Sequence, residues 1–231
     1  MYIREQVPVR LGESIFARRT PDKVEAVVWS HGAPDLAKNE ATMFMNEVFD
    51  SLGPANLALF AGIDVQLHII PHDKRLTDLF EFESLKGRPT PDGRKYEDIR
   101  GMGGMRFGRS ILLAVGQETL MSVPGKQLGF TRGAVPSHES AHVVGLFGLT
   151  RSQKSRLDDA FAKRTKAQGP WVDTYASSNT EEYFASCASA FFGRAPTNKA
   201  SERARFNRPW LKENDRPMYA LLADVFKRAR S

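Results

Sequence analysis

The sequence contains a single cysteine, Cys187, among its 231 residues. One thiol cannot form an intramolecular disulfide, so the fold must draw its stability from a buried core. It also excludes every zinc site built on several cysteines, and a bound metal ion would need histidine or carboxylate ligands. Because Cys187 lies in an apolar helical pattern, we expect a packed, inert thiol and not the nucleophile of a cysteine peptidase.

Long apolar runs are absent as well. No uncharged apolar stretch approaches the roughly 18 residues that a membrane span needs. The N-terminal segment MYIREQVPVR lacks the apolar core of a Sec signal peptide. We therefore expect no membrane span, and a protein that is either cytoplasmic or exported by a dedicated secretion system.

Charge of neither sign dominates the composition. The chain has 33 Lys and Arg against 27 Asp and Glu, a net charge of +6, and 41% of its residues are hydrophobic. These values are typical of a globular protein. The basic residues are spread over several short clusters instead of one stripe with interleaved aromatics, so a nucleic acid is not the expected partner. A basic nucleic-acid-binding protein remains an alternative function.

The apolar patterns predict strands early in the chain and helices late, which is an α+β layout without βαβ alternation. The predicted strands are 24–29, 63–70 and 110–116, and the predicted helices are 36–52, 134–147, 156–167, 180–192 and 219–228. The glycine- and charge-rich segment 77–108 predicts a long loop, with 101–104 (GMGG) as a flexible stretch beside a cleft. Residues 1–35 are interpreted as an N-terminal extension and residues 36–231 as one domain.

The most informative motif is HESAH at 138–142, inside the helix predicted over 134–147. Positions i and i+4 share a helical face one turn apart, so His138 and His142 can bind one zinc ion. Glu139 lies beside them and can take a proton from water that the metal activates. The chain has only five histidines, and a chance match has odds on the order of one in a hundred. The alternative interpretation is a pair of surface histidines.

A third ligand must come from another part of the chain. Some related motifs place a histidine six residues after the second one, but that position is Gly148 here. Two neighbouring carboxylates, Glu181 and Glu182, begin a predicted helix about 40 residues beyond His142. The apolar periodicity favours Glu182 only slightly, and either carboxylate could instead be solvated in the first turn, where the helix dipole stabilises it.

Together these segments resemble the anthrax lethal factor-like (ATLF-like) zincins, a group of zinc metallopeptidases. The similarity runs in order from LTDLFEF (76–82) through DGRKYEDIRGMGG (92–104) and the HESAH helix to NDRPMYALLADVFK (214–227). That group has a Y-x-x-x-N-x-x-E-[FY]-F-A pattern, which 175–185 (YASSNTEEYFA) matches. The resemblance therefore implies Glu182 as the third zinc ligand. It also implies that Tyr175 donates a hydrogen bond to the oxyanion of the tetrahedral intermediate.

The sequence departs from that group at two points. Relatives commonly carry a second Glu four residues after the ligand, where this chain has Ser186. A typical EEN segment appears here as QET at 117–119. Both changes could alter the surroundings of the metal or the choice of substrate without removing a ligand.

The resemblance implies an α+β zincin-like metallopeptidase domain, with a small sheet packed on the HExxH helix and a helical C-terminal part. It implies a zinc-dependent endopeptidase in which His138, His142 and Glu182 hold one Zn²⁺ and Glu139 and Tyr175 are catalytic. The substrate would be a protein or peptide, and relatives include secreted toxins and effectors. The sequence identifies no inhibitor or immunity partner. The alternative within the same fold is a binding module that no longer cleaves.

The sequence contains three further features, of which the strand 110–116 has two open interpretations. The strand 110–116 (SILLAVG) is either an edge strand, along which an extended substrate pairs, or a central buried strand. His68 and His72 flank Pro71 near a strand end, where ordinary surface or turn histidines are favoured over a second metal site. His31, in the segment SHG, is interpreted as part of a turn.

Overall fold

The computed structural model describes residues 22–124, 131–195 and 200–227. A four-stranded sheet has α-helices packed against one face and short helical turns packed against the other. This is the α+β layout that the sequence predicts. Residues 1–21, the larger part of the expected N-terminal extension, lie outside the described residues.

The sheet has the strand order β1-β2-β4-β3. Its strands are β1 (Ala26–Trp29), β2 (Asp64–Ile70), β3 (Gly101–Phe107) and β4 (Ser110–Gly116). Strands β1, β2 and β4 are parallel, whereas β3 runs antiparallel to β4 with an irregularity between Gly103 and Met105. Of the two alternatives for 110–116, the central strand is therefore confirmed.

The helices occupy one face of the sheet and the C-terminal part of the chain. They are α1 (Asp35–Asp50), α2 (Pro54–Leu57), α3 (Ala134–Phe147), α4 (Arg151–Ala167), α5 (Thr180–Phe191), α6 (Ala200–Arg203), α7 (Arg208–Asn214) and α8 (Arg216–Val225). The predicted helices are confirmed to within a few residues. Helix α4 begins earlier than predicted because Thr150 and Gln153 form a capping box at its start.

Two expectations about the first half of the chain are wrong. Helix α1 connects the parallel strands β1 and β2, so one βαβ unit is present, as a parallel pair requires a crossover. The segment 77–108 is also not one long loop, because 101–107 forms the strand β3. Glycine has low β-propensity, so the glycine-rich sequence of β3 predicted a loop and not a strand.

The alternating side chains of β2 separate two apolar layers. Val65, Leu67 and Ile69 join the main core beneath the helices, whereas Ile70 joins a smaller cluster beneath residues 76–85. Strand β1, which falls within the expected extension, adds Val28 to the main core. His68 points to the side of Ile70 because it alternates with Leu67 and Ile69.

Helix α5 is the central helix of the molecule. Its side chains from Tyr183 to Phe191 are all buried, as expected for a helix that is enclosed by other elements. Among the described parts of the chain, no helix combines the length and the apolar character that a membrane span needs.

Candidate metal centre

Helix α3 carries the HESAH motif and is buried along most of its length. It begins after Gly133, whose φ of 80° belongs to the left-handed region. A Cβ there would also lie 2.5 Å from the Phe44 ring atom Cζ, so only glycine lets α3 start this close to α1. The start of α3 is thus fixed by local backbone geometry and by packing.

Three potential ligand atoms converge between α3 and α5. The Nε2 atoms of His138 and His142 are 3.1 Å apart, and Glu182 Oε2 lies 3.1 Å from the first and 3.4 Å from the second. Ligand atoms around a tetrahedral zinc ion are about 3.3 Å apart, given Zn–N bonds of about 2.0–2.1 Å. The three side chains could therefore hold a metal ion, and their spacing and chemistry fit Zn²⁺.

The start of α5 determines which glutamate reaches the imidazoles. The Asn179 side chain accepts a hydrogen bond from the Glu182 amide at 2.9 Å and caps the helix. Helices α3 and α5 also approach closely, since a Cβ on Gly145 would lie 3.0 Å from Phe184. Glu182 consequently contacts both imidazoles, whereas Glu181 is exposed. The structure thus separates two carboxylates that periodicity could not separate.

The buried charges of the cluster shift one another's pKa values. Burial raises the pKa of Glu182, but hydrogen bonds from His138 and His142 outweigh it and bring the value to about 2. Burial lowers the pKa of His142, yet the hydrogen bond to Glu182 and the charge of Glu139 raise it overall. Burial raises the pKa of Glu139 itself. Glu182 is therefore an anion at neutral pH, and Glu139 binds a proton more readily than an ordinary carboxylate.

The glycines of β3 lie directly against α3. A Cβ on Gly103 would lie 2.5 Å from the Glu139 carbonyl oxygen and 2.8 Å from His142 Cβ, and a Cβ on Gly101 would collide with the Glu139 carboxylate. Real Cβ atoms do not approach other atoms this closely, so the strand can pack here only without side chains. The stretch 101–104, expected to be a flexible loop, is instead the edge strand that covers the HESAH helix.

Tyr175 lies at the rim of the cluster. It begins the short turn Tyr175–Ser177 and is 40% exposed, and its ring centroid is 6.4 Å from that of His138. Burial and the charge of Glu182 raise its pKa to about 12, so the hydroxyl keeps its proton at neutral pH. The Asp173 carboxylate accepts a hydrogen bond from the Ala176 amide at 2.5 Å and holds this turn.

Arg94 lies near the site, although no feature of the sequence predicts a role for it. Its Nη2 lies 3.5 Å from the Tyr175 hydroxyl, and its guanidinium pairs with Asp92. The segment 92–104 belongs to the part that resembles the lethal factor-like zincins. However, a single arginine in a turn has no periodicity that could point to it.

The two places where the sequence departs from the lethal factor-like pattern lie in different parts of the structure. Ser186 is fully buried on α5. In the segment 117–119, Glu118 forms a partly buried ion pair with Arg100, with Nε 2.6 Å from Oε1, and Gln117 Oε1 accepts a hydrogen bond from the His72 amide at 3.2 Å. The first contact ties the end of β4 to the start of β3, and the second ties it to the loop after β2.

The structure does not bring His68 and His72 together. His72 Nδ1 lies 3.3 Å from Gln117 Oε1, whereas His68 Nδ1 lies 2.8 Å from His31 Nε2. His68 is fully buried, so the interpretation of it as a surface or turn histidine is wrong. The β2 register buries it, because its side chain alternates with Leu67 and Ile69.

No protein-family model matches the sequence, and a comparison with curated proteins gave no match. Among solved structures, the chain is similar to a Pro-Pro endopeptidase from Paenibacillus alvei, with a TM-score of 0.53 and 20% sequence identity. The alignment covers 86% of this chain and 95% of that chain. At this identity the likeness concerns the fold. The chain therefore has a zincin-like α+β fold.

Proposed function

We propose that the protein is a zinc-dependent endopeptidase that hydrolyses peptide bonds in a protein or peptide substrate. One observation carries the proposal: two imidazole nitrogens and a carboxylate oxygen converge within 3.4 Å beside the buried carboxyl group of Glu139. The fold likeness to a Pro-Pro endopeptidase supports the hydrolysis of peptide bonds, and the resemblance to the lethal factor-like zincins supports the use of zinc.

The metal ligands in this proposal are His138, His142 and Glu182. Three protein ligands leave a fourth tetrahedral position open, as catalytic zinc sites require. When bound, Zn²⁺ supplies a Lewis acid that polarises a carbonyl group and lowers the pKa of water to about 7. Because Glu182 is an anion, it would neutralise one of the two positive charges of Zn²⁺.

Glu139 is the proposed general base and acid. Its carboxylate would take a proton from the attacking water and pass it to the leaving amine. Burial raises its pKa, which makes the carboxylate a stronger base than an exposed one. Gly101 lies against the same carboxyl group, so β3 restricts its rotamers and shields it from solvent.

Tyr175 is the proposed donor to the oxyanion. A phenol with a pKa of about 12 is protonated throughout the neutral range and can donate a hydrogen bond to the negative oxygen of the tetrahedral intermediate. Arg94 lies within 3.5 Å of the hydroxyl. We infer that it positions Tyr175 and adds positive charge to this side of the cleft.

Substrate would bind along β3. This strand is hydrogen-bonded to β4 on one side, and no other described strand pairs with its second side. An extended peptide could add there as a further strand, with main-chain hydrogen bonds to β3. The glycines keep that strand close to Glu139 and His142, so a peptide bond would lie near the metal ligands.

The first experiment compares the zinc content of the wild type, Glu182→Ala and the matched control Glu181→Ala. We expect Glu182→Ala to lower the content by one ion per chain and Glu181→Ala to leave it unchanged. Equal contents in the wild type and Glu182→Ala, with both folded, would overturn the site.

The second experiment follows cleavage of a degenerate peptide library by mass spectrometry. The wild type should cleave it, and Glu139→Gln should reduce the rate about 10²–10⁴-fold with an unchanged zinc content. A zinc-loaded wild type that cleaves no peptide or protein would instead favour the non-cleaving binding module.

The sequence resemblance also supports a role as an exported toxin or effector. That part of the proposal predicts cleavage of proteins in a target-cell extract by the wild type and not by Glu139→Gln. Labelling of newly formed N-termini in the two extracts would identify the substrates.

A further inference from the structure

A second group of ligating side chains lies on the opposite face of the sheet. His31 Nε2 is 2.8 Å from His68 Nδ1, and Glu81 Oε2 is 3.7 Å from the same His68 atom. The three ligand atoms all lie within 4.8 Å of one another. His68 projects away from the face that packs against α3, so this cluster is separate from the candidate catalytic centre.

Three different parts of the chain contribute to the cluster. His31 lies in the turn between β1 and α1, with a φ of 51°, His68 lies in the middle of β2, and Glu81 lies in the helical turn Phe80–Leu85. The ring of Trp29 stacks on His68, and the edge of Phe82 contacts it. These aromatic groups hold the His68 ring and exclude water from one side.

The hydrogen bonds available inside the cluster do not satisfy its atoms. One proton can be shared between the two facing imidazole nitrogens. Glu81 Oε2 is inaccessible to solvent and has no hydrogen-bond partner, since 3.7 Å is too long for a hydrogen bond. A buried carboxylate oxygen without a donor costs about 1–3 kcal/mol or more, and a cation would remove that cost.

The charges of the three side chains are suited to binding a metal ion. Burial lowers the pKa of His31 and lowers that of His68 to about 4, so both imidazoles are neutral and keep lone pairs at neutral pH. Glu81 supplies a negative charge, and the nearby Lys74 opposes a cation. Two neutral imidazoles and one carboxylate are the same donor set as in the candidate catalytic centre.

We propose that His31, His68 and Glu81 form a second metal site, which takes a divalent cation of the zinc class. The observed separations of 2.8 and 3.7 Å lie on either side of the roughly 3.3 Å edge of a tetrahedral zinc site. Small side-chain rotations would equalise them. Imidazole nitrogens select zinc-class ions over magnesium and calcium.

The proposed ion is structural. It joins three separate segments of the chain: the β1–α1 turn, the central strand β2 and the turn Phe80–Leu85. An ion that binds only the folded chain stabilises it. His31 and Glu81 are partly exposed, which gives the ion a route from solvent.

The test uses a chain from which the candidate catalytic site has been removed. His138→Gln combined with Glu182→Gln serves as the background, because two histidines alone could still bind zinc weakly. Into it we introduce His31→Asn, Glu81→Gln or the control His72→Asn. Asparagine tolerates the positive φ at position 31, and His72 is a neighbouring histidine outside the cluster.

We expect the background protein to retain one Zn²⁺ per chain after equilibrium dialysis and removal of free metal. His31→Asn and Glu81→Gln should each lose it, and His72→Asn should retain it. The unfolding temperature should rise with added Zn²⁺ only in the proteins that retain the ion. A background protein without bound Zn²⁺, or equal Zn²⁺ in all four proteins, would overturn the second site and leave the proposed peptidase untouched.

Discussion

The Tyr175 hydroxyl is held at the rim of the candidate metal centre by a short turn and by the neighbouring Arg94 guanidinium. Substitution by phenylalanine removes the hydroxyl and leaves the ring packing against His138. Since loss of one oxyanion donor typically costs about 10²–10³-fold in kcat, we expect a decrease of that size in Tyr175→Phe. Steady-state kinetics on a cleaved library peptide would measure it.

The zinc content of Tyr175→Phe should equal that of the wild type, because the hydroxyl is not among the converging ligand atoms. Its KM should change little. A variant with wild-type kcat would remove Tyr175 from the mechanism.

Cys187 offers a second test at the scale of one residue. The thiol lies on α5 and is buried, and burial raises its pKa well above the ordinary value. A thiol that is neither exposed nor ionised reacts slowly. We expect iodoacetamide at pH 8 to label Cys187 only after unfolding and to leave cleavage by the folded protein unchanged. Rapid labelling of the native protein, detected by mass spectrometry, would contradict this packing.

Individual site residues differed in how well the sequence could predict them. The i, i+4 spacing was sufficient to bring His138 and His142 together, because helical geometry alone determines their relation. The choice of Glu182 over Glu181 needed the resemblance, since neighbouring helix positions differ by only 100° of rotation. Arg94 approaches Tyr175 across a turn, and no local pattern encodes such a contact.

Strand β3 is the element that most directly shapes the candidate active site. Gly103→Ala would introduce a Cβ 2.5 Å from the Glu139 carbonyl oxygen, so the strand or α3 must shift. Overpacking of this kind costs about 1–3 kcal/mol, and a misplacement of about 1 Å near a catalytic group can cost about 10²-fold in rate. We expect Gly103→Ala to lower both the unfolding free energy and the cleavage rate.

Gly169→Ala is the matched control for that substitution. Its new Cβ would meet only the flexible Arg164 side chain, at 3.4 Å or more. Urea denaturation and kinetics should show a near-wild-type protein. Equal effects of the two substitutions on stability and cleavage rate would show that the β3–α3 contact is not responsible for them.

Helix α8 depends on one buried carboxylate. Asp215 caps the helix by accepting from the Met218 amide, and it accepts a 2.6 Å hydrogen bond from the buried Tyr183 hydroxyl. Asp215→Ala should therefore destabilise the protein by roughly 2–4 kcal/mol, the loss of a cap plus an unpaired buried hydroxyl. Asn207→Ala, which removes the cap of α7, should cost only about 1 kcal/mol. Urea unfolding would compare the two variants.

At the scale of elements, the sequence predicted strands and helices wherever apolar periodicity was strong. It missed β3 because the strand meets α3 through glycines, whose sequence is typical of loops. It also missed the parallel pairing of β1 with β2. Strand pairing joins residues far apart in the chain, whereas periodicity reports only on local neighbours.

The two proposed metal sites should couple zinc binding to the stability of the whole molecule. In a His31→Asn protein, which keeps only the candidate catalytic site, a free Zn²⁺ concentration of 100 times Kd would add about 2.7 kcal/mol. For a chain of this length we expect the unfolding temperature to rise by roughly 5–10 °C. Calorimetry before and after chelation would measure the change.

A protein that also carries His138→Gln and Glu182→Gln is the control for the calorimetry. It should unfold at one temperature with or without Zn²⁺. A rise equal to that of the His31→Asn protein would show that the stabilising ion binds elsewhere.

The glycines through which β3 contacts α3 limit the mutations that the gene can tolerate. Every amino-acid change that a single base substitution can produce in a glycine codon adds a side chain, so no such change at Gly101 or Gly103 preserves the close contact with Glu139. In a scan of all single substitutions, these two positions should be as intolerant as the histidines of α3, although neither bears a functional group. New substrate preferences would then have to arise from substitutions at positions other than these two glycines.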